Sequence, residues 1–172
     1  VYELGSMFKI FSTAALLDLR DVSIGQEFDA TKPLRRYGFT ISDYHPERRF
    51  MTVPEIFMHS SNIGAALMGE AVGTDDLRTF YGQLGLTSKM NLEIAETGTP
   101  LLPDPWRDIH TLTASYGYGI AVTPLQLAAA VSAIVGNGVY VPPTLLAMEE
   151  GEKPGSGQKI ISSDTVREMR AL

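Results

Sequence analysis

Val1-Tyr2-Glu3-Leu4-Gly5-Ser6-Met7-Phe8-Lys9-Ile10-Phe11 is the stretch on which the reading of this chain turns. Ser6 is followed three residues later by Lys9, at the opening of an apolar run that reads as a helix. Residues at i and i+3 of a helix lie about 5–6 Å apart on one face, so hydroxyl and amine are neighbours. An amine held there and partly desolvated has a lowered pKa and can take the proton of the hydroxyl. Serine then serves as a nucleophile without a histidine. The same four residues also fit a helix cap followed by a surface lysine, so the rest of the chain has to decide.

The run from Ser6 to Leu19 carries so few polar positions that it is expected to be buried on most sides. From Asp21 to Arg49 the pattern breaks into glycine, proline, arginine and aromatics, which predicts a long loop with short extended pieces. Thr52-Val53-Pro54-Glu55 is a capping box opening a helix to about His59, and a second helical stretch follows from Asn62 to Ala71. Thr74, ahead of Asp75 and Asp76, is read as the cap of a helix that runs to Leu84 and stops at Gly85. Thr87 to Asp108 is irregular. Thr123-Pro124-Leu125-Gln126 is another capping box, starting an almost wholly apolar helix to Val135 that is expected inside the domain, with the surface around Leu125 normally covered by neighbours that a fragment would lack. Val139–Val141 and Leu145–Met148 are candidate short strands, demoted to edges by Pro142-Pro143. Glu149 to Gly157 reads as a polar turn or hairpin tip. Ser162 or Ser163 then caps a terminal helix.

The chain has 172 residues, 44% hydrophobic content and a formal net charge of −6. That suits one globular domain. No basic cluster exceeds Arg35-Arg36 and Arg48-Arg49, so no nucleic-acid partner is expected. No run approaches the roughly 18 apolar residues of a membrane span. With no cysteine there are no disulfides and no thiolate metal sites. The three histidines, His45, His59 and His110, give no helical ligand pair, and no metal is expected. A first residue other than methionine, and a candidate nucleophile six residues in, give the expectation of a piece cut from a longer polypeptide.

The second chemical signal is Ser60-Ser61-Asn62, between two helical stretches. Such side chains compete for the backbone and disfavour a helix interior. The break either is an ordinary helix junction or presents a hydroxyl and an amide to a cleft. Ser6-x-x-Lys9 followed by Ser60-x-Asn62 resembles the penicillin-recognising serine transferases, namely penicillin-binding proteins and serine β-lactamases. Tyr2-Glu3-Leu4-Gly5-Ser6-Met7-Phe8-Lys9 is similar to the Y-E-x-G-S-x-F-K segment of class B penicillin-binding proteins. Met51–Glu55 leading to Ser60–Gly64 is similar to their second motif and its flanks. Ser115-Tyr116-Gly117-Tyr118-Gly119-Ile120-Ala121-Val122-Thr123-Pro124-Leu125-Gln126-Leu127 resembles their S-x-G-x-G-I-x-V-T-P-x-Q-L stretch. The nearest likeness is to division-type peptidoglycan D,D-transpeptidases.

The resemblance implies a fold that is mainly α with minor β, the helical part of the β-lactamase/transpeptidase-like α/β fold with its sheet largely missing. It implies that Ser6 attacks the penultimate D-alanine carbonyl of a stem peptide and that Lys9 takes the serine proton. Ser60 would relay a proton to the leaving amine, and Asn62 would bind the substrate amide carbonyl and help to position Lys9. It implies no cofactor. The partners are stem peptides ending in D-Ala-D-Ala, β-lactam antibiotics and division-machinery proteins, with a membrane-anchored parent at the periplasmic face of the inner membrane. The family's K-(S/T)-G triplet is absent from the sequence, so residues 1–172 are expected to be a partial transpeptidase domain ending before that strand and inactive or nearly so alone. Two other readings stay open: a β-lactamase-like hydrolase, with Glu93 or Glu96 as water-activating residue, and a non-catalytic penicillin-binding sensor or scaffold. Tyr116 and Tyr118 either line the cleft or pack beneath the Ser6 helix. Trp106 and Phe39 are read as core or edge aromatics, and Asp43-Tyr44-His45-Pro46 as a loop.

Overall fold

The apolar run behind Ser6 becomes the hub of the molecule. In this computed structural model, which describes residues 1–147 and 155–172, a 3-10 turn over Gly5–Phe8 leads into helix α1 (Lys9–Leu19). From Phe11 to Leu17 every α1 side chain is buried, because helices close around it on all sides. These are α2 (Val53–Met58), α3 (Asn62–Val72), α4 (Thr74–Gln83), α6 (Pro124–Val135) and α7 (Ser163–Ala171), with α5 (Asp108–Ala114) on the far side of α3 and α4. Phe8 and Phe11 meet each other edge to face at a centroid distance of 5.4 Å, and both meet Tyr81 of α4 in the same way, at 5.7 and 6.4 Å. All three are almost fully buried, and each such aromatic removes about 150–250 Å² from water.

The loop expected between Asp21 and Arg49 holds three short strands, β1 (Glu27–Asp29), β2 (Leu34–Arg36) and β3 (Phe39–Ile41). β2 and β3 form a hairpin, and β1 pairs antiparallel with β4 (Phe50–Thr52), just ahead of α2. The last pair joins β5 (Val139–Tyr140) to β6 (Gln158–Lys159). The architecture is thus mainly α with minor β, as expected.

The capping boxes behave as the sequence predicts. The Thr52 backbone N–H donates to Glu55 Oε2 at 2.8 Å, Thr123 Oγ1 accepts from the Gln126 N–H, and Ser162 Oγ accepts from the Thr165 N–H. Three expectations need correction. The cap of α4 is Gly73, at φ 88, rather than Thr74, whose hydroxyl is engaged with Asp108 and Thr111. Helix α6 is not enclosed: Pro124, Leu125, Ala128, Ser132 and Val135 form an exposed stripe, so its apolar content does not translate into all-round burial. The partner of β5 is β6, while Leu145–Ala147 form no strand; Pro142 and Pro143 interrupt the backbone donors needed to continue the ladder. Met148 and most of the Glu149–Gly157 segment lie outside the described residues. The stretch from Thr87 to Asp108 is irregular as read, and α5 follows it in residues that the sequence reading leaves unassigned, started by His110 Nδ1 accepting the Arg107 N–H at 3.0 Å. Among the described residues no helix is long and apolar enough to cross a membrane.

Candidate active site

The segment that carries Ser6 is fixed from below by the stretch 115–123. Tyr2 and Val122 exchange two backbone hydrogen bonds, at 2.9 and 3.1 Å, and Glu3 accepts from the Gly119 N–H. Ser12 Oγ donates to the Ser115 carbonyl at 2.8 Å. Gly117, at φ 87, lies so close that a Cβ there would stand 1.9 Å from the Gly5 carbonyl oxygen. Only glycine satisfies both the positive φ and that approach. Tyr116 is half-buried against the core and Tyr118 is exposed, so only the first packs as expected.

Helix α2 ends in a Schellman motif: the Ser60 N–H donates to Phe57 O and the Ser61 N–H to Ile56 O. The residue in the left-handed position, where glycine is favoured, is Ser60 at φ 54. A left-handed non-glycine residue costs about 1–2 kcal/mol. Strain of this kind persists where the surroundings enforce it, often at functional sites. Here it turns both the hydroxyl and the carbonyl of Ser60 toward Lys9. Ser61 caps α3 through the Gly64 N–H, and Asn62 is its first residue. A Cβ at Gly64 would meet Ile56 at 2.5–2.8 Å, so glycine there lets the two helices approach at the break.

These elements bring Ser6, Lys9, Ser60 and Asn62 into one hydrogen-bonded cluster. Lys9 Nζ lies 3.0 Å from Ser6 Oγ, 2.9 Å from Ser60 Oγ, 2.7 Å from Ser60 O and 2.8 Å from Asn62 Oδ1. Ser60 Oγ stands 3.0 Å from Ser6 Oγ and closes a triangle. Lys9 is 2% exposed, whereas Ser6 is open to solvent. Burial pushes the Lys9 amine down to about 8, with the negative charge of Asp43 acting in the opposite sense. Four acceptors surround an ammonium that has three protons. Once neutral, the amine has two N–H groups and a lone pair. The Ser60 carbonyl and Asn62 Oδ1 can only accept, so they take the two N–H groups. The lone pair is left facing the two hydroxyls. A neutral Lys9 can therefore accept a proton from Ser6 or exchange one with Ser60.

The side chain that sequence reading passed over is Asp43, placed only in a loop. Its Oδ2 accepts from Ser61 Oγ at 2.8 Å and its Oδ1 from the Asn62 and Ile63 N–H groups at 2.5 and 2.9 Å. The partners are 18 to 20 residues away, so no local pattern in the sequence announces them. Other candidates lie outside the cluster. His59 faces Glu47, and His110 caps its own helix. The Glu93 carboxylate is taken up by Thr144 and the Leu145 N–H, and Glu96 is exposed. Trp106 is half-buried with its N–H on Thr111, and Phe39 is exposed on the β2–β3 hairpin. A cleft of about 580 Å³ lined by Asp29, Thr31, Lys32, Arg35 and Arg36 shares no residue with the cluster.

Comparison with known proteins places this geometry in a family. Over 169 residues the chain is 37% identical to the probable peptidoglycan D,D-transpeptidase FtsI of Caulobacter vibrioides, covering 98% of this chain and 28% of the relative. It is 30% identical over 172 residues to the probable peptidoglycan D,D-transpeptidase PenA of Neisseria gonorrhoeae, covering 99% of this chain and 29% of that one. The chain thus spans less than a third of the length of these relatives. Among solved structures, the transpeptidase domain of penicillin-binding protein 3 from Burkholderia pseudomallei, without ligand, superposes with a TM-score of 0.89 at 30% identity. That match covers 99% of this chain and 52% of the other. Residues 1–172 match the family described as the penicillin binding protein transpeptidase domain, and the chain belongs to that family.

Proposed function

We propose that the protein carrying this chain is a serine-type peptidoglycan D,D-transpeptidase and a target of β-lactams. The observation that carries this reading is the buried Lys9 amine, pushed down to about 8, within 3.0 Å of both the Ser6 and Ser60 hydroxyls. Ser6 Oγ attacks the penultimate D-alanine carbonyl of a stem peptide as its proton passes to neutral Lys9. The tetrahedral intermediate collapses with cleavage of the peptide bond. The leaving D-alanine amine takes a proton delivered from Lys9 through Ser60 Oγ. The acyl-enzyme is then attacked by the amine of a neighbouring stem, with the same groups working in reverse. Asn62 Oδ1 accepts from Lys9 Nζ and its Nδ2 donates one N–H to the Ser42 carbonyl, at 3.3 Å, which leaves a second N–H for a substrate amide carbonyl. A β-lactam enters by the same attack on its strained amide, and ring opening keeps the leaving amine tethered to Ser6. No cofactor enters these steps.

We infer further that the wall of the cleft opposite Ser60–Asn62, a K-(S/T)-G strand in the family likeness, is supplied by sequence outside these residues. Losing one oxyanion donor with that strand would cost about 2.7–4 kcal/mol of transition-state stabilisation. The isolated chain should then acylate about 10²–10³-fold more slowly than the intact protein. A role in division, with septal partners at the periplasmic face of the inner membrane, is inferred from likeness to the FtsI relative alone.

The test is product analysis. Intact protein is given a stem peptide ending in D-Ala-D-Ala and an acceptor amine. The reading requires release of D-alanine together with a transfer product, both abolished by Ser6→Ala. Hydrolysis without transfer would support the β-lactamase-like alternative, which gains nothing from Glu93 held by Thr144 and Leu145. Neither product, with no β-lactam adduct, would support a silent sensor or scaffold.

A further inference from the structure

Asp43 stands beside the cluster, near enough for its charge to act on Lys9 but in no direct ion pair among the described residues. Its carboxylate is taken up by one hydroxyl and two backbone N–H groups at the start of α3. We propose that Asp43 is a positioning residue of the acylation centre, holding the first turn of α3 and through it the Ser60–Asn62 face to which Lys9 donates. The proposal rests on the transpeptidase reading of the cluster.

The geometry goes beyond what capping requires. Ser61 already caps α3, its oxygen accepting from the Gly64 N–H at 2.9 Å. Asp43 fixes the direction of that cap by taking the Ser61 hydroxyl proton, and it also takes the N–H groups of Asn62 and Ile63. Asn62 is therefore held twice by one loop: its backbone N–H by Asp43 and its Nδ2 by the Ser42 carbonyl. The atom left over, Oδ1, lies 2.8 Å from Lys9 Nζ. Ser60 precedes the clamped residues directly, so its left-handed backbone is pinned between the end of α2 and the clamp. Two of the four acceptors around Lys9 come from Ser60 and one from Asn62. Displacing this turn would loosen three of the four at once. A misplacement of about 1 Å in such a constellation can cost a hundredfold in rate. Asp43 is also the charged side chain whose field reaches Lys9, while Ser6, Ser60 and Asn62 are neutral.

Two variants of the intact protein separate clamp from charge. Asp43→Asn is isosteric: its Oδ1 still accepts the two backbone N–H groups, its Nδ2 can donate to Ser61 Oγ, and the charge is gone. Asp43→Ala removes both. The rate of Ser6 acylation by a labelled β-lactam is followed against pH, with the melting midpoint of each variant. Asp43→Asn is expected to keep the plateau rate within about threefold and to move the acid limb to lower pH, since Lys9 loses a charge that favours its protonated form. Asp43→Ala is expected to lower the plateau about tenfold or more in protein that is still folded. A wild-type plateau and acid limb in both variants would overturn the proposal, as would losses that track only the folded fraction. Should Asp43→Ala not fold, Asp43→Glu decides, because its longer side chain keeps the charge but moves the carboxylate off the clamp: a lowered plateau is expected, and a wild-type plateau would overturn the proposal. Failure of the wild type to acylate would instead sink the transpeptidase reading. The positioning claim is then read from a structure of Asp43→Ala. In the alanine variant Asn62 Oδ1 should leave hydrogen-bonding distance of Lys9, and an unmoved Asn62 would refute the claim.

Discussion

Ser60 occupies a backbone position that favours glycine while presenting a hydroxyl that glycine lacks. The conflict gives a clean pair of substitutions. Ser60→Gly and Ser60→Ala both remove the hydroxyl, but only glycine relieves φ 54. Ser60→Gly should be more stable than Ser60→Ala by about 1 kcal/mol in thermal or urea unfolding. If Ser60 relays the proton, both should lose acylation by a similar factor of about 10²–10⁴. Equal stabilities would mean that the left-handed conformation is not enforced. Lys9 gives the matching pH prediction. With its amine pushed down to about 8 by burial, acylation of Ser6 should rise with pH and reach half its plateau near that value. A rate flat from pH 6 to 9 would contradict a Lys9 base. Ser6 and Lys9 were legible in sequence because their spacing puts both on one helix face, whereas Ser60 and Asn62 joined them only through the family resemblance. Asp43 was not legible, because it acts across 18 to 20 residues from a loop without periodicity.

Close approaches of backbone dominate at the level of elements. Gly69 of α3 lies against α5, where an added Cβ would stand 1.8 Å from Ser115 Oγ. Ser115 is fully buried, with its hydroxyl on the Thr111 carbonyl. Gly69→Ala should therefore destabilise by about 1–3 kcal/mol through overpacking. Ser115→Gly should relieve part of that loss in the double variant, a non-additivity measurable by urea unfolding. Gln126 makes a different kind of junction. Fully buried in the first turn of α6, it gives its amide N–H groups to the carbonyls of Gly85 and Ser88 at 2.8 and 2.9 Å. Gln126→Leu would strand both acceptors and should cost about 2–4 kcal/mol. The helices with capping boxes were readable because cap and partner are local. Helix α5 escaped reading because it is short, rich in threonine and started by His110, a residue with no strong capping signature. The outward face of α6 was legible only around Leu125, for a different cause. Apolar content shows that a surface can be buried, but which neighbours stand against it is set by tertiary packing.

Across the whole molecule, burying an ionisable amine in the hub links stability to pH. The Lys9 value is lower in the folded chain than its ordinary 10.5, so between about pH 8 and 10 the unfolded state binds more protons. The Lys9 contribution to stability should therefore rise with pH through that window. Above it, fully buried Tyr81, whose hydroxyl is held protonated by desolvation, acts in the opposite direction. Comparing Lys9→Met with wild type over pH 8–10 isolates the effect: the wild type should gain stability relative to the variant as pH rises, and parallel curves would contradict it. The same burial makes Lys9 an expense to the fold and brings its neutral amine within reach near pH 8, a trade expected where activity and stability compete. The most direct test of the central claim is the site of covalent modification. Intact protein treated with a labelled β-lactam and digested should carry one adduct, on Ser6, absent in Ser6→Ala and slowed in Lys9→Met. No adduct, or an adduct that persists in Ser6→Ala, would contradict the account.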